Sequence, residues 1–161
     1  MKLIFTFLRQ EHLDFLYSVR NHPDIRKNLI NDNEISKKCH NEWYKKYRTD
    51  DKNYIRIIKI YQFYNVGYVN YIYLENKRIE IGIKILPEYQ NLGIGRIVID
   101  KLIDELITIH NNKKILMLTV FEDNISAIKL YKTFGFKIVN TELLFPRNKK
   151  LLTMERNMKN Y

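Results

Sequence analysis

Gly93 and Gly95 stand just downstream of a strand-like alternation of Ile81, Ile83 and Ile85 and of Pro87, and just upstream of a helix-period apolar stripe. Pro87 cannot extend a β ladder, so the chain leaves the sheet there. The glycines let the backbone turn sharply and approach a ligand, and the first turn of the next helix has amide hydrogens without partners of their own. Main-chain donors and the helix dipole converge on one spot, which suits an anion and above all a pyrophosphate. Two nucleotide motifs are excluded. A dinucleotide fingerprint needs a third glycine at Val98, and a P-loop needs Gly-Lys followed by Ser or Thr.

Other reactive residues are spread along the chain. Tyr131 follows Ala127 by four positions and Asn124 by seven, so the three share a helix face. A phenol there either packs in the core or gives up a proton; Asn124 either caps the helix or also meets a ligand. Glu80, Glu122 and His40 are the candidates for a base. Cys39, His40, Trp43 and Tyr47 share a face behind an N-cap at Ser36, forming a wall or lid over a substrate. No zinc-ligand spacing appears, and no metal is expected.

The elements that must position these groups follow from periodicity. Strands are expected over Leu3 to Leu8, Tyr54 to Ile60, Val66 to Leu74 and Ile79 to Leu86, with a turn or bulge near Asn65 and Gly67. Helices are expected from Glu11 to about Arg20, Asp24 to Leu29, Ser36 through Tyr47, and Gly95 to about His110. Ile115 to Val120 is continuously apolar, which predicts a strand buried on both faces and parallel to the Ile79 strand across a helical crossover. Asn124 caps a helix to Phe134, Gly135 ends it, and strands start at Phe136 and run from Leu151 to Arg156, the latter entered through Phe145 to Lys150.

The 161 residues fit one domain, residues 1–161, and the single cysteine, Cys39, rules out an internal disulfide. The apolar run at the N-terminus is too short for a signal peptide or a membrane span, so a cytoplasmic protein without membrane attachment is expected. A formal charge of +10 attracts polyanions, but lysine and asparagine richness accounts for part of it. No basic tract interleaved with aromatics and no helix-turn-helix points to nucleic acid.

Gln90-x-x-Gly93-x-Gly95, together with Asn124-x-x-Ala127-x-x-x-Tyr131-x-x-x-Gly135-Phe136, resembles the two signatures of the GNAT superfamily of N-acetyltransferases, and the element order is similar over nearly the whole chain. The resemblance implies an α/β (α+β) fold with a mixed central sheet of about six to seven strands, a splayed parallel pair and flanking helices. It implies acetyl-CoA as cofactor, with direct attack of a primary amine through a tetrahedral intermediate. The main chain of Gln90, Asn91, Leu92, Gly93, Ile94, Gly95 and Arg96 would hold the pyrophosphate. Ile83 and Ile85 would pair with pantetheine, and Asn124 and Ala127 would contact CoA. Tyr131 would protonate the departing sulfur, and Glu80 would serve as base. Asn91-Leu92 replaces the family's usual Gly-Lys, which leaves backbone anion binding intact.

Arg20-Asn21 and His40-x-x-Trp43 further resemble bacterial nucleotide-sugar N-acetyltransferases acting on UDP-linked 4-amino sugars, as in the pseudaminic and legionaminic acid pathways. That implies Arg20, Asn21, His40 and Trp43 as substrate-binding residues. Glu80-Ile81-Gly82 is similar to enzymes that acetylate ribosomal protein N-termini, the alternative reading, and a non-enzymatic CoA- or nucleic-acid-binding module is a third, motivated by charge alone. A lysine acceptor with a pKa near 10.4 costs about 3 kcal/mol more to deprotonate than an amine near 8, so a weak base favours a sugar amine or an α-amine. The terminal strands offer edges for a homodimer.

Overall fold

The computed structural model describes residues 2–109 and 115–158. Seven strands form one sheet in the order β1-β2-β3-β4-β5-β7-β6. They are β1 (Leu3–Phe7), β2 (Asn53–Ile60), β3 (Tyr64–Leu74), β4 (Arg78–Ile85), β5 (Ile115–Phe121), β6 (Lys137–Leu144) and β7 (Lys149–Asn157). The helices are α1 (Leu13–Asn21), α2 (Pro23–Arg26), α3 (Lys37–Tyr47), α4 (Ile94–Ile109) and α5 (Ile125–Thr133). Among the described residues no helix is long and apolar enough to cross a membrane.

The alternation that predicts the strands also sorts the core onto two sides of the sheet. Ile79 and Ile81 of β4 pack with Val98, Ile99, Leu102 and Ile103 of α4, and Leu116 and Leu118 of β5 join them. On the other side, Ile55 and Ile57 of β2 and Tyr68 of β3 pack with Leu16 and Val19 of α1 and Ile25 of α2. Arg56 of β2 pairs with Glu105, tying α4 to the sheet. Between Ile58 and Lys59 the β2–β3 register slips by one residue, leaving Val66 as the extra residue between Asn65 and Gly67, where the sequence predicts a bulge.

Several expected boundaries move. The first helix opens with a 3-10 turn at Gln10–His12, and α2 stops at Arg26, short of Leu29. Ile115 to Val120 is packed chiefly on one face: Leu116, Leu118 and Val120 are buried, while Ile115, Met117 and Thr119 are partly exposed. A continuous apolar run therefore overstated the burial, because α1 and α2 on the opposite side pack on β2 and β3 rather than β5, and at Thr119 that face borders an opening. The expected helix end near His110 lies outside the described residues.

That opening follows from the one parallel pairing. β4 and β5 are in register only from Arg78 opposite Ile115 to Glu80 opposite Met117, after which each strand continues without the other. All other neighbours in the sheet are antiparallel. The two strands splay, and the site lies in the gap.

Candidate active site

The splay leaves backbone groups of β4 unpaired. The Leu86 amide donates to the Val66 carbonyl at 2.9 Å, so Ile85 and Gly67 form a non-hydrogen-bonded pair of the β3–β4 ladder. By alternation, Ile83 and Ile85 turn their amides away from β3 and toward the gap. The Ile85 carbonyl accepts from Gln90 Nε2 at 2.7 Å, so the Gln90 side chain fixes the turn leaving the strand.

The glycine loop closes one end of this gap. Gly93 has φ +75°, and a Cβ built on it would meet nothing within 4 Å, so backbone conformation rather than crowding demands glycine. Asn91 also sits in the left-handed region, at φ 59°, which asparagine tolerates better than most residues. Asn91 thus holds the backbone shape that glycine would allow. The Arg96 and Ile97 amides are the first to bond back, both to the Gly93 carbonyl, which leaves the amides at the head of α4 without helical acceptors.

The cavity that results has a volume of about 530 Å³. Ile83, Ile85, Gln90, Asn91, Gly93, Gly95 and Arg96 line it from the strand and loop. Asn124, Ala127 and Tyr131 line it from α5, and Glu80 lies deeper in β4. Leu92, 65% exposed, and Ile94, buried in the core, do not line it. The main-chain donors, the open φ-positive glycine and the unpaired strand edge fit a diphosphate joined to an extended amide arm, which is the chemistry of coenzyme A.

Tyr131 rests edge-to-face on Phe136, ring centres 5.9 Å apart, and burial pushes its phenol up to about 12. It therefore keeps its proton at neutral pH. Asn124 Oδ1 accepts from the Ala127 amide at 3.3 Å, so it caps α5 as well as facing the cavity.

A second cavity, about 480 Å³, lies between α1, α3 and the β2–β3–β4 face. Ser36 caps α3 by accepting from the Cys39 amide, and the predicted aromatic face forms: His40 stacks on Trp43 and Trp43 on Tyr47, each pair 5.4 Å apart. His40 is buried, its Nε2 lies 3.2 Å from the Leu13 carbonyl, and burial lowers its pKa. It is a packed, neutral ring whose Nε2 is committed as a donor. Arg20 Nη2 donates to the Asn31 carbonyl at 2.8 Å, whereas its Nη1 is buried with no partner among the described residues.

Arg20, His40 and Trp43 line this cavity as expected, but Asn21 does not. Both ends of the Asn21 amide are taken by the main chain of Ile35, at 2.9 and 3.0 Å, so it fixes the loop before α3. Glu122 is likewise engaged elsewhere, 3.5 Å from Lys150 and outside both cavities. Two residues not anticipated from sequence, Asn70 and Lys84, line both cavities and mark where they meet. Their signal is register: Tyr68, Asn70, Gly82 and Lys84 are cross-strand partners on the face away from α4, a placement invisible until β3 and β4 are paired.

Comparison with known proteins agrees with this geometry. The model of the acetyltransferase (GNAT) family matches residues 8–136. Acetyltransferase PseH of Campylobacter jejuni is 28% identical over 141 residues, covering 86% of this chain and 85% of that one. A spermine/spermidine N(1)-acetyltransferase of Bacillus subtilis is 41% identical over 64 residues, covering 40% of this chain and 41% of that one. The crystal structure of spermidine N-acetyltransferase from Vibrio cholerae in complex with CoA and spermine superposes with a TM-score of 0.89 at 23% identity, covering 99% of this chain and 97% of that one. At that identity the likeness speaks for the fold.

Proposed function

Because the chain belongs to the acetyltransferase (GNAT) family and is an acetyl-CoA-dependent N-acetyltransferase, we propose that its acceptor is the 4-amino group of a UDP-linked deoxy amino sugar. One observation carries this reading: the second cavity is lined by Arg20 and Lys84, with Trp43 as an aromatic platform and no carboxylate among its described lining residues. A nucleotide diphosphate supplies the anion that Arg20 Nη1 lacks and a base ring to lie against Trp43.

The same lining argues against a polyamine, to which the spermidine and spermine acetyltransferases would otherwise point. Two cations roughly 8 Å apart at an effective dielectric of about 20 repel by about 2 kcal/mol, and a polyamine brings several. A protein N-terminus lacks the phosphates that would use Arg20.

Bound acetyl-CoA supplies the acetyl group as an activated thioester. The amides at the head of α4, with those of Gly93 and Asn91, would bind its diphosphate, and the unpaired edge of β4 would align the arm. The Ile85 amide, turned toward the gap, would polarise the thioester carbonyl oxygen. Tyr131 holds a proton on its hydroxyl for a departing sulfur, and α3 walls the acceptor from water.

Thiol release from acetyl-CoA tests the reading with three acceptors: a UDP-4-amino-4,6-dideoxy sugar, spermine, and peptides beginning with Ser or Ala. Turnover with the sugar is expected, and Arg20→Met should raise its KM about thirtyfold with CoA affinity unchanged, the loss of a charge-assisted hydrogen bond. Turnover confined to spermine or to peptides would overturn it.

A further inference from the structure

We propose that Lys84 is the general base of the transfer, accepting the proton that the acceptor ammonium must lose before it attacks. The proposal rests on the two-cavity reading above, though not on the acceptor being a sugar.

The placement is specific. Lys84 and Asn70 are the residues that border both cavities, so the Lys84 amine stands between the acceptor space and the gap facing Tyr131. Lys84 Nζ donates to Asn70 Oδ1 at 2.6 Å and lies 5.3 Å from the centre of the Tyr68 ring. Its partner is a neutral carbonyl rather than a carboxylate. A Cβ on Gly82 would come within 2.5 Å of Asn70 Oδ1 and 2.7 Å of Lys84 Nζ, so the amine is folded back over Gly82 and held above the middle of β4. A lysine serving only solubility extends into water; this one is turned inward at the junction.

The surroundings favour its neutral form. Its pKa is lowered to about 8, chiefly by burial; Glu80 opposes the shift and Arg20 adds a smaller push in the same direction as burial. The other ionisable groups lining the two cavities are Cys39 and His40 on α3, Tyr68 on β3, Asp24 on α2, and Arg96 and Tyr131 across the gap. At pH 7.5 roughly a quarter of such an amine is neutral, against about one in a thousand for an ordinary lysine. A base matched to an acceptor amine near 8 makes the proton transfer nearly isoenergetic.

The protons balance. The acceptor R–NH3+ gives one proton to neutral Lys84, and R–NH2 forms the C–N bond as the C–S bond breaks. The sulfur takes the Tyr131 proton, the phenolate takes the second proton leaving the new amide nitrogen, and the Lys84 ammonium returns its proton to water. One proton is released per turnover, as the overall reaction requires.

Two substitutions separate a base from a mere cation. Lys84→Met should lower kcat about a hundredfold and remove the rise of kcat with pH through about 8, while calorimetry shows CoA affinity unchanged. Lys84→Arg keeps the charge but cannot deprotonate, so it should match the methionine variant in kcat while keeping KM near wild type. Recovery of kcat in Lys84→Arg would overturn the proposal, as would an unaltered pH profile in Lys84→Met. Competitive labelling of the wild-type protein with acetic anhydride, read by mass spectrometry on the Lys84 peptide, needs no acceptor. A midpoint near 8 is expected, and one near 10.5 would overturn the proposal. If the UDP-sugar is not turned over, the acceptor assignment falls alone, and the Lys84 variants are then compared on whichever of spermine or peptide is acetylated.

Discussion

The two cavities that meet at Lys84 are built from different materials. The one under the glycine loop is made largely of main chain: amides at the head of α4, left-handed turns at Asn91 and Gly93, and a strand edge released where β4 and β5 part. The one under α3 is made of side chains, an arginine, a stacked histidine and tryptophan, and a lysine bonded to an asparagine. Main-chain donors can persist through changes of side chain, such as Asn91-Leu92 in this loop. A side-chain site can differ from one relative to the next, and the proposed acceptor would be selected there.

The strongest way to sharpen this contrast is on the glycine-loop side, with Tyr131→Phe. Removing one hydroxyl should lower kcat by about a hundredfold or more, because a proton donor to the departing thiolate is lost, while CoA affinity stays within about twofold because main chain supplies it. Stopped assays with saturating acetyl-CoA, paired with calorimetry on CoA, would show it. An unchanged kcat would reduce Tyr131 to a ring packed on Phe136.

That difference in material also explains what could be read from the chain. Glycine at φ +75° and proline after a strand are local demands, so the loop, the crossover helix and the Asn124 cap were legible from spacing alone. The stacked face of α3 was legible for the same reason, since His40, Trp43 and Tyr47 are helical neighbours. Lys84 was not. In sequence it is a polar residue alternating with Ile83 and Ile85, which describes any solvated strand face; only α1 and α3 folding over that face bury it. Asn21 differs in the opposite sense: the resemblance of Arg20-Asn21 to a substrate-binding pair implied a role for it, while its amide is spent on Ile35. The apolar run at Ile115 to Val120 overstated burial because hydropathy records the residue and not which strands the helices cover.

A smaller effect is expected within the loop itself. Gly93→Ala meets no atom within 4 Å, so its cost comes from the left-handed backbone, about 1–2 kcal/mol, or roughly a five- to thirtyfold loss of CoA affinity with little change in kcat at saturation. Asn91→Gly, which relaxes the same constraint, should leave affinity nearly unchanged. If Gly93→Ala lowered kcat and left affinity intact, the loop would be serving the acceptor side and the division between the two cavities would fail.

The smallest expected signal is optical, and it probes the side-chain cavity alone. Trp43 is the single tryptophan of the chain and is 38% exposed, with the His40 ring stacked 5.4 Å away. Burial lowers the His40 pKa from its ordinary 6.5, more than the Leu13 carbonyl and Asp14 raise it. The folded state therefore resists the proton that the unfolded chain accepts near 6.5, so the stability carried by neutral His40 is present above that pH and is lost as the pH falls through the lower folded value. Protonation places a cation against the indole, and Trp43 emission should drop with a midpoint below 6.5. His40→Gln, whose amide can still reach the Leu13 carbonyl, should abolish the step. CoA binding should persist through the same range, because no histidine lines the cavity under the glycine loop among the described residues. A midpoint at or above 6.5 would mean that a carboxylate or water reaches His40, and that the acceptor wall is wetter and less cationic than its lining makes it.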